Sequence, residues 1–321
     1  MQKWQHIPIL AQTIKELLIT DKEGLYIDGT LGLGGHTKIL LSALGPKAKI
    51  FGFDKDEKAI LMAKENVNDS RLSTFNLSYS EIAKVLKEKN IKGANGLLFD
   101  FGLSSYQLDD ASRGFSFNSQ GPLDMRFDTK QELTAKTIVN TWPADKIEEI
   151  LSDYGEEKFA SKIAQAIVLA AREEPLETTW QLAKIIEKVC PRTSKTHPAT
   201  RTFQALRIAV NGELKRLPQA LHNAFNCLNV GGKMGVITFH SLEDRIVKNY
   251  FRNLGKQCVC PPEVAQCRCG GNECAEILTR KPVCPSEEEI KTNSPSRSAK
   301  LRVVKKICQA SDFRLDGVIG Y

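Results

Sequence analysis

A glycine-rich turn between a predicted strand and a predicted helix is the segment with the clearest capacity to bind a ligand. Residues 28–37 read DGTLGLGGHT and follow the apolar residues 25–27. Glycines in such a turn let a ligand approach the backbone, and the amides at the start of the next helix face it. A dinucleotide-binding turn requires G-x-G-x-x-G or A. The sixth position counted from Gly32 is Thr37, so this turn does not match that pattern.

Three aspartates each come at the end of a predicted strand: Asp28, Asp54 and Asp100. Open α/β sheets bind ligands at the carboxyl ends of their strands, so these side chains are candidates for one site. Asp54, 22 residues after Gly32, can accept hydrogen bonds from both ribose hydroxyls of an adenosine cofactor. Asp28 would repel a pyrophosphate but suits a ligand with a positive group, such as S-adenosylmethionine. The alternative is that the three are ordinary acids in solvated loops.

The elements that must position these aspartates alternate between short apolar runs and helical patterns, which predicts a parallel α/β sheet. The predicted strands cover residues 25–28, 49–54, 73–77, 96–100 and 234–239. Between the last two strands, residues 102–128 have little periodicity and are predicted to form an ordered loop or lid. The apolar spacing from Phe159, Leu182 and Phe203 onward is helical, without strands. We therefore predict a first part of the sheet domain, a helical insertion, and a second part with a cysteine-rich and basic tail, at residues 1–109, 110–205 and 206–321.

The composition is that of a soluble globular protein, with 41% hydrophobic and 26% charged residues. It excludes a disordered chain, a fibrous repeat and a disulfide-built miniprotein. The net charge of +7 favours a polyanionic partner without establishing one. The sequence has no apolar secretory signal and no run of about 18 apolar residues, which predicts no membrane segment. Nine cysteines, an odd number with four scattered singly, predict a reduced, cytoplasmic protein.

The chain resembles the bacterial 16S ribosomal RNA cytosine-N4 methyltransferase family in several segments. They occur in the family's order at residues 28–36, 100–109, 113–117, 121–126, 197–205, 239–248, 285–289 and 297–302. The resemblance implies a class I, Rossmann-like S-adenosylmethionine-dependent methyltransferase fold with an inserted all-helical domain that helps to engage RNA. The implied reaction is transfer of a methyl group to the exocyclic N4 amine of one cytidine in the decoding region.

The resemblance also implies which residues bind the cofactor and which partners the protein has. The partners are 16S ribosomal RNA or the assembling small subunit, with no membrane, and a homodimer is left open. At position 79 the family has an aromatic residue that is often Phe, and Tyr keeps a ring face for adenine. The implied S-adenosylmethionine contacts are Gly34, Gly35, His36, Asp54, Tyr79, Asp100 and Gln107.

Methylation of this amine requires an acceptor for its N–H protons, alignment with the methyl carbon and extrusion of the base. Asp100 is the first candidate for that acceptor, and a purely cofactor-positioning role is the alternative. Residues 100–103 read DFGL and lack the Pro-Pro-aromatic motif of many amine methyltransferases, so the mechanism of that motif is not carried over. A C5 methyltransferase needs a cysteine nucleophile, and no cysteine precedes Cys190.

Two other functions are weighed beside this one. An NAD-dependent oxidoreductase is disfavoured by the mismatched glycine turn, and a non-catalytic RNA-binding or assembly factor is disfavoured by the three intact aspartates. His240 and Ser241 are adjacent, so they are badly placed as nucleophile and base. We expect residues 240–245 to line the substrate side, and the individual roles of His240 and Arg245 are left open. An internal ion pair between Asp244 and Arg245 is a further hypothesis.

The tail contains a cluster of five cysteines: Cys258, Cys260, Cys267, Cys269 and Cys274. Two close pairs could hold a structural zinc, and free thiols or a redox pair are the alternative. No catalytic metal is predicted.

Basic residues that would contact RNA phosphates are Arg113, Arg126, Arg201, Arg207, Lys215, Arg216 and the basic tail at 291–306. Phe115 and Phe117 are candidates for stacking on an extruded base. The alternative is that these charges are merely solvated and that both phenylalanines pack a lid.

Overall fold

The computed structural model describes residues 8–190, 197–258, 266 and 273–309. The chain divides into a sheet unit, Met1–Gly102 with Arg216–Tyr321, and an insertion unit, Leu103–Lys215. These boundaries differ from the predicted ones at 109/110 and 205/206. The second predicted boundary was misplaced because it cuts through one continuous helix, Ala199–Asn211.

The described part of the sheet unit contains seven strands in the order β3-β2-β1-β4-β5-β7-β6. Strands β1 to β5 pair in parallel, whereas β7 is antiparallel to both β5 and β6. This is the predicted class I, Rossmann-like α/β fold. The strands are β1 Leu25–Asp28, β2 Lys49–Phe53, β3 Leu72–Phe75, β4 Ala94–Asp100, β5 Leu228–Thr238, β6 Ala275–Ile277 and β7 Lys300–Lys306.

The α-helices of the described residues surround the sheet or build the insertion. They are α1 Ala11–Leu18, α2 Gly35–Ala43, α3 Glu57–Val67, α4 Ile82–Glu88, α5 Ser105–Asp109, α6 Ala135–Thr141, α7 Ala144–Gly155, α8 Ala160–Glu173, α9 Thr179–Val189, α10 Ala199–Asn211, α11 Glu213–Asn226, α12 Ser241–Leu254 and α13 Glu287–Thr292. The helical spacing predicted from Phe159, Leu182 and Phe203 onward is confirmed by α8, α9 and α10. None of these helices has the length and apolar character needed to cross a membrane.

Helices cover both faces of the central strands, and successive strand residues point to opposite faces. Each central strand therefore contributes side chains to two cores. Ile27, Leu97 and Phe99 pack in one core with α4, α11 and α12. Tyr26 and Leu98 pack in a second core with α1 and α2. The central strands are therefore fixed from both sides, and so are the residues at their carboxyl ends.

The insertion unit has its own core, which explains why a long interruption of the sheet domain is tolerated. Its helices bury a set of side chains with no exposed surface: Ile138, Ile147, Ile163, Leu182 and Leu206. Residues 102–128 were predicted to form an ordered loop, and apart from the short α5 and a single 3-10 turn they are irregular in the structure.

Strands β6 and β7 were not predicted, because the tail was read only as cysteine-rich and basic. Arg302 in β7 forms a bidentate ion pair with Asp244 of α12, with distances of 2.7 and 3.1 Å. Lys300 adds a third contact to the same carboxylate, at 3.6 Å. The partner of Asp244 is therefore Arg302, and the hypothesis of an ion pair with Arg245 is wrong: α12 directs Asp244 toward the sheet while Arg245 is exposed.

The antiparallel pairing of β6 with β7 also brings two cysteines together. Cys274 precedes β6, Cys308 follows β7, and they form a disulfide. The expectation of reduced thiols is therefore wrong for this pair, because the pairing places residues distant in sequence side by side. Cys258 is exposed, whereas Cys260, Cys267 and Cys269 lie outside the described residues.

We expect Asp244→Ala to lower the free energy of unfolding by about 3 kcal/mol, since it leaves the buried Arg302 guanidinium without this carboxylate. Denaturant unfolding of the full chain measures the change. Asp153→Ala, at an exposed acid of α7, is the control and should alter stability by no more than about 0.5 kcal/mol. Equal stability of the two variants would contradict a role for this ion pair in holding α12 on the sheet.

Candidate active site at the carboxyl edge of the sheet

Asp28 holds the glycine-rich turn together. One carboxylate oxygen accepts a hydrogen bond from the Thr30 amide (3.3 Å) and the other from the Thr37 hydroxyl (2.7 Å). The residue is 1% exposed, and its burial raises the pKa of the carboxyl group. Asp28 is therefore directed at the turn itself, and its suitability for a ligand with a positive group stays a prediction.

The turn combines a closely packed side with an open one. Gly34 adopts a φ of +79°, and a Cβ atom there would lie 2.6 Å from Val67 Cγ2, so packing requires glycine. Gly32 adopts a φ of +50°, but nothing lies closer than 4.0 Å to a Cβ atom built on it. The backbone near Gly32 is thus accessible to a ligand, and Gly35 begins α2 immediately beyond it.

Asp54 lies beside this turn, as predicted. Its Oδ2 accepts a hydrogen bond from the Gly32 amide at 2.8 Å, and its Oδ1 accepts one from the Asp56 amide at 2.9 Å. Burial raises the pKa of Asp54 to about 6, against the effect of these two hydrogen bonds. Because each carboxylate oxygen has a second lone pair, Asp54 can still accept hydrogen bonds from hydroxyl groups.

Asp100 is less well satisfied than the other two aspartates. Its Oδ2 lies 3.5 Å from His36 Nδ1, while its Oδ1 is buried and has no hydrogen-bond partner. Burial raises the pKa of Asp100 to about 6; His36 opposes this rise, and the negative charges of Asp28 and Glu243 add to it. A buried acceptor without a partner is uncommon in proteins, so the free oxygen marks a place for an additional donor.

His36 is fixed by the carbonyl oxygen of Ile9, which lies 2.8 Å from its Nε2. A carbonyl only accepts hydrogen bonds, so Nε2 must carry a proton. His36 Nδ1 therefore faces Asp100 as the second, variable nitrogen of the ring. The distance between His36 Nδ1 and Asp100 Oδ2 is 3.5 Å.

Tyr79 lies on a 3-10 turn after β3 and is half-buried. Its ring meets those of Phe99 and Phe101 edge-on, at centroid distances of 5.3 and 5.8 Å. Lys55 Nζ lies 5.9 Å from the centroid of the Tyr79 ring. Tyr79 is thus an aromatic surface in the same unit as Asp54 and Asp100.

Gln107 belongs to the insertion unit. It is buried in α5, where its side-chain oxygen accepts a hydrogen bond from the Ser104 amide at 3.1 Å as part of a capping box. Its grouping with the six residues of the sheet unit therefore stays a prediction. The other six, Gly34, Gly35, His36, Asp54, Tyr79 and Asp100, all follow or end strands of one sheet.

Sequence reasoning left the role of His240 open and did not identify Glu243. Glu243 is 3% exposed, and its Oε2 accepts a hydrogen bond from the Phe239 amide at 3.0 Å. His240 Nε2 lies 3.0 Å from Glu243 Oε1. The pair begins α12 after β5, and the charge of Glu243 acts on Asp100. The one available clue was the polar run that follows the apolar strand.

Three arginines predicted to contact RNA instead stabilise the insertion. Arg113 donates to the carbonyl oxygens of residues 126 and 127, Arg126 forms a bidentate pair with Asp124, and Arg207 forms one with Glu213. Spacing in the sequence cannot distinguish an internal guanidinium from an exposed one. All three guanidinium groups thus have partners within the insertion, and their contact with RNA stays a prediction.

The predicted stacking residues differ from each other. Phe115 is buried and packs on Phe127, which agrees with the packing alternative. Phe117 is half-buried and stacks on His197 at a centroid distance of 4.4 Å. Lys215 and Arg216 are exposed, and Arg201 donates to the Glu156 carbonyl at 3.0 Å.

Comparison with known proteins identifies related sequences over nearly the whole chain. The model of the MraW methylase family matches residues 3–307. Ribosomal RNA small subunit methyltransferase H of Elusimicrobium minutum is 52% identical over 308 residues, covering 96% of this chain and 100% of the relative. The protein of the same name from Caldicellulosiruptor bescii is 44% identical over 306 residues, covering 95% and 100%. An rRNA methylase structure from Streptococcus thermophilus aligns with 93% of this chain and 94% of its own at 11% identity and a TM-score of 0.40, so the family assignment rests on the sequence matches.

We expect Asp100→Asn to raise the free energy of unfolding at pH 7.5 by about 2 kcal/mol. The folded state holds the Asp100 proton more tightly than the unfolded chain does, so ionisation as the pH rises through about 6 destabilises the fold. The gain should shrink toward pH 4, where the wild-type carboxyl is protonated in the folded state. Denaturant unfolding at both pH values measures it, with Asp145→Asn at an exposed acid as the control. A variant less stable than wild type at pH 7.5 would contradict the burial cost.

Proposed function

Because the chain belongs to the MraW methylase family, we propose that it transfers the methyl group of S-adenosylmethionine to the N4 amine of a cytidine in 16S ribosomal RNA. Two relatives that match it over almost their full length are named ribosomal RNA small subunit methyltransferase H. The observation that carries the proposal is the buried, unpartnered oxygen of Asp100 beside the glycine turn. The family match disfavours the oxidoreductase alternative.

The residues at this edge fit an adenosyl ligand. The backbone at Gly32 is open, Asp54 retains lone pairs for ribose hydroxyls, and Tyr79 offers part of a ring face for adenine. S-adenosylmethionine, when bound, supplies an electrophilic methyl group. We propose that Gly34, Gly35, His36, Asp54, Tyr79, Asp100 and Gln107 hold it.

Asp100 has the chemistry of the proton acceptor. The cytosine amine must lose one N–H proton as its nitrogen forms the new bond to the methyl carbon. Among the described residues, no donor makes a hydrogen bond to Asp100 Oδ1, so this oxygen is available to accept that proton. A pKa of about 6 makes Asp100 a stronger base than an exposed aspartate, while it stays ionised at pH 7.5. His36 Nδ1, at 3.5 Å from Oδ2, lies beside the carboxylate oxygen opposite the accepting one and helps to hold the side chain in place.

Several finer features belong to the same proposal. We place the modified cytidine in the decoding region, following the family resemblance, and assign RNA engagement to residues 110–205 together with the adjoining parts of the insertion. The proposed ribosomal RNA substrate supports a cytoplasmic location. A homodimer, left open by the sequence, belongs to the same proposal.

The proposed reaction is tested by offering radiolabelled S-adenosylmethionine and small subunits that lack cytosine-N4 methylation. Nucleoside analysis should recover the label as N4-methylcytidine. Cofactor binding without label in the RNA would contradict the proposed substrate, and the absence of cofactor binding would exclude a methyltransferase.

We expect Asp100→Asn to abolish methyl transfer while keeping the fold, because the amide has no free carboxylate to accept the proton. Asp145→Asn should keep wild-type turnover. In the wild type, turnover should rise about tenfold per pH unit below pH 6 and level off above it, as the carboxyl group ionises. Initial rates between pH 5 and 8 measure the profile. Sustained turnover by Asp100→Asn would remove Asp100 as the base.

The homodimer predicts a particle of twice the 35.7 kDa chain mass in solution. Size-exclusion chromatography with light scattering measures that mass. A single species of 35.7 kDa at micromolar concentration would exclude a stable dimer.

A further inference from the structure

The positive charge of the chain is not distributed evenly between its two units. The insertion, residues 103–215, contains 15 Lys and Arg against 16 Asp and Glu, and is slightly acidic. The C-terminal part of the sheet unit, residues 216–321, contains 16 Lys and Arg against 10 Asp and Glu. A polyanion is therefore attracted mainly to the sheet unit, although the insertion was the part expected to engage RNA.

Helix α12 concentrates this charge on one face. Arg245, Lys248 and Arg252 are exposed and follow one another at intervals of three and four residues, so they lie along one side of the helix. The exposed Lys256 continues the series just after the helix ends. We call these four residues the α12 basic stripe. Four residues of helix advance by about 6 Å, so the charges repeat at short, regular intervals.

The acids of α12 do not pair with Lys248 or Arg252, the two central residues of this stripe. Glu243 and Asp244 are 3% and 9% exposed and point toward the sheet, where Asp244 is paired with Arg302. Within the part of the chain that the structure describes, no carboxylate lies within ion-pair distance of Lys248 or Arg252. The exposed charges of α12 are consequently all positive.

The helix also begins at the candidate active site. His240 caps α12 immediately after β5, at the same edge of the sheet as Asp100, and Glu243 in its first turn acts electrostatically on Asp100. The stripe therefore starts about one turn from this edge and leads away from it along the outside of the sheet unit. A nucleotide held at Asp100 would have its neighbouring backbone within reach of the helix.

We propose that the α12 basic stripe binds backbone phosphates of the substrate RNA next to the modified nucleotide. The inference rests on the proposed function for the identity of the RNA. The guanidinium and ammonium groups supply affinity without reading sequence, because phosphates are the same at every nucleotide. The guanidinium groups of Arg113, Arg126 and Arg207 are paired within the insertion, whereas the side chains of the stripe are exposed.

The test uses the full chain with two charges removed, Lys248→Gln with Arg252→Gln. Binding to an unmodified transcript of the small-subunit decoding region is measured between 0.05 and 0.3 M salt, on the order of the range over which such contacts weaken. We expect the affinity to fall about tenfold, and the slope of log K against log salt to decrease by about 1.5. KM for RNA should rise while kcat at saturating RNA and cofactor affinity stay unchanged.

Two further variants make the outcome specific. Lys84→Gln with Lys87→Gln removes two exposed charges from α4 at comparable spacing and should bind RNA like the wild type. Lys248→Arg with Arg252→Lys keeps the charges and should bind within about twofold of wild type. The proposed role of the stripe would be contradicted by an unchanged salt slope in the Lys248→Gln, Arg252→Gln variant. An equal loss of RNA affinity in the α4 variant would contradict it as well.

Failure of the stripe and failure of the proposed function are distinguishable. A wild type that methylates the RNA, with a stripe variant that binds equally well, overturns the stripe and leaves the function standing. A wild type that binds the transcript but transfers no methyl group to RNA in any assembly state overturns the proposed function. The stripe is then supported or overturned by the salt slope alone, as a general RNA-binding surface.

Discussion

The burial of carboxyl groups at one edge of a parallel sheet, complete for Asp28 and partial for Asp54 and Asp100, is the constraint on which the rest of this site depends. A buried carboxylate is costly unless hydrogen bonds compensate it. Asp28 and Asp54 obtain theirs from the 28–37 turn, through Thr30, Thr37 and Gly32. The Asp100 amide is tied to the same turn through the Thr30 hydroxyl, at 2.6 Å. The aspartates thus fix the shape of the turn, and one carboxylate oxygen of Asp100 is left without a donor.

This arrangement separates residues that build the site from residues that can react. Both oxygens of Asp28 accept hydrogen bonds from the turn, whereas Asp100 retains an oxygen without a donor among the described residues, and burial and neighbouring negative charge raise the pKa of Asp100. The cationic residues divide in the same manner. Arg113 and Arg302 satisfy internal acceptors, while Lys248 and Arg252 remain exposed on α12. The same residue types therefore stabilise the fold where they are buried and paired, and can contact a ligand where they are exposed or lack a partner.

The sequence predicted the order of strands and helices along the chain and the aspartates at the strand ends, because apolar runs and helical spacing reflect local burial. Asp54 and Asp100 were identifiable since both end apolar strands. The pairing of Asp244 with Arg302 spans 58 residues and was not identifiable from spacing. Strand β7 was not predicted because four of its seven residues, KLRVVKK, are Lys or Arg, and the segment was interpreted only as basic. The disulfide between Cys274 and Cys308 was not predicted either, since it depends on how β6 and β7 pair.

The central claim, that Asp100 is a buried base with an elevated pKa, is tested most directly by carbon-13 NMR of the aspartate carboxyl carbons during a pH titration. Asp54 also has a pKa raised to about 6, so spectra of Asp54→Asn and Asp100→Asn are needed to assign the two resonances. The account predicts that the resonance lost in Asp100→Asn titrates with a midpoint of about 6 in the wild-type protein. A midpoint near 4, the ordinary value for an exposed aspartate, would contradict it.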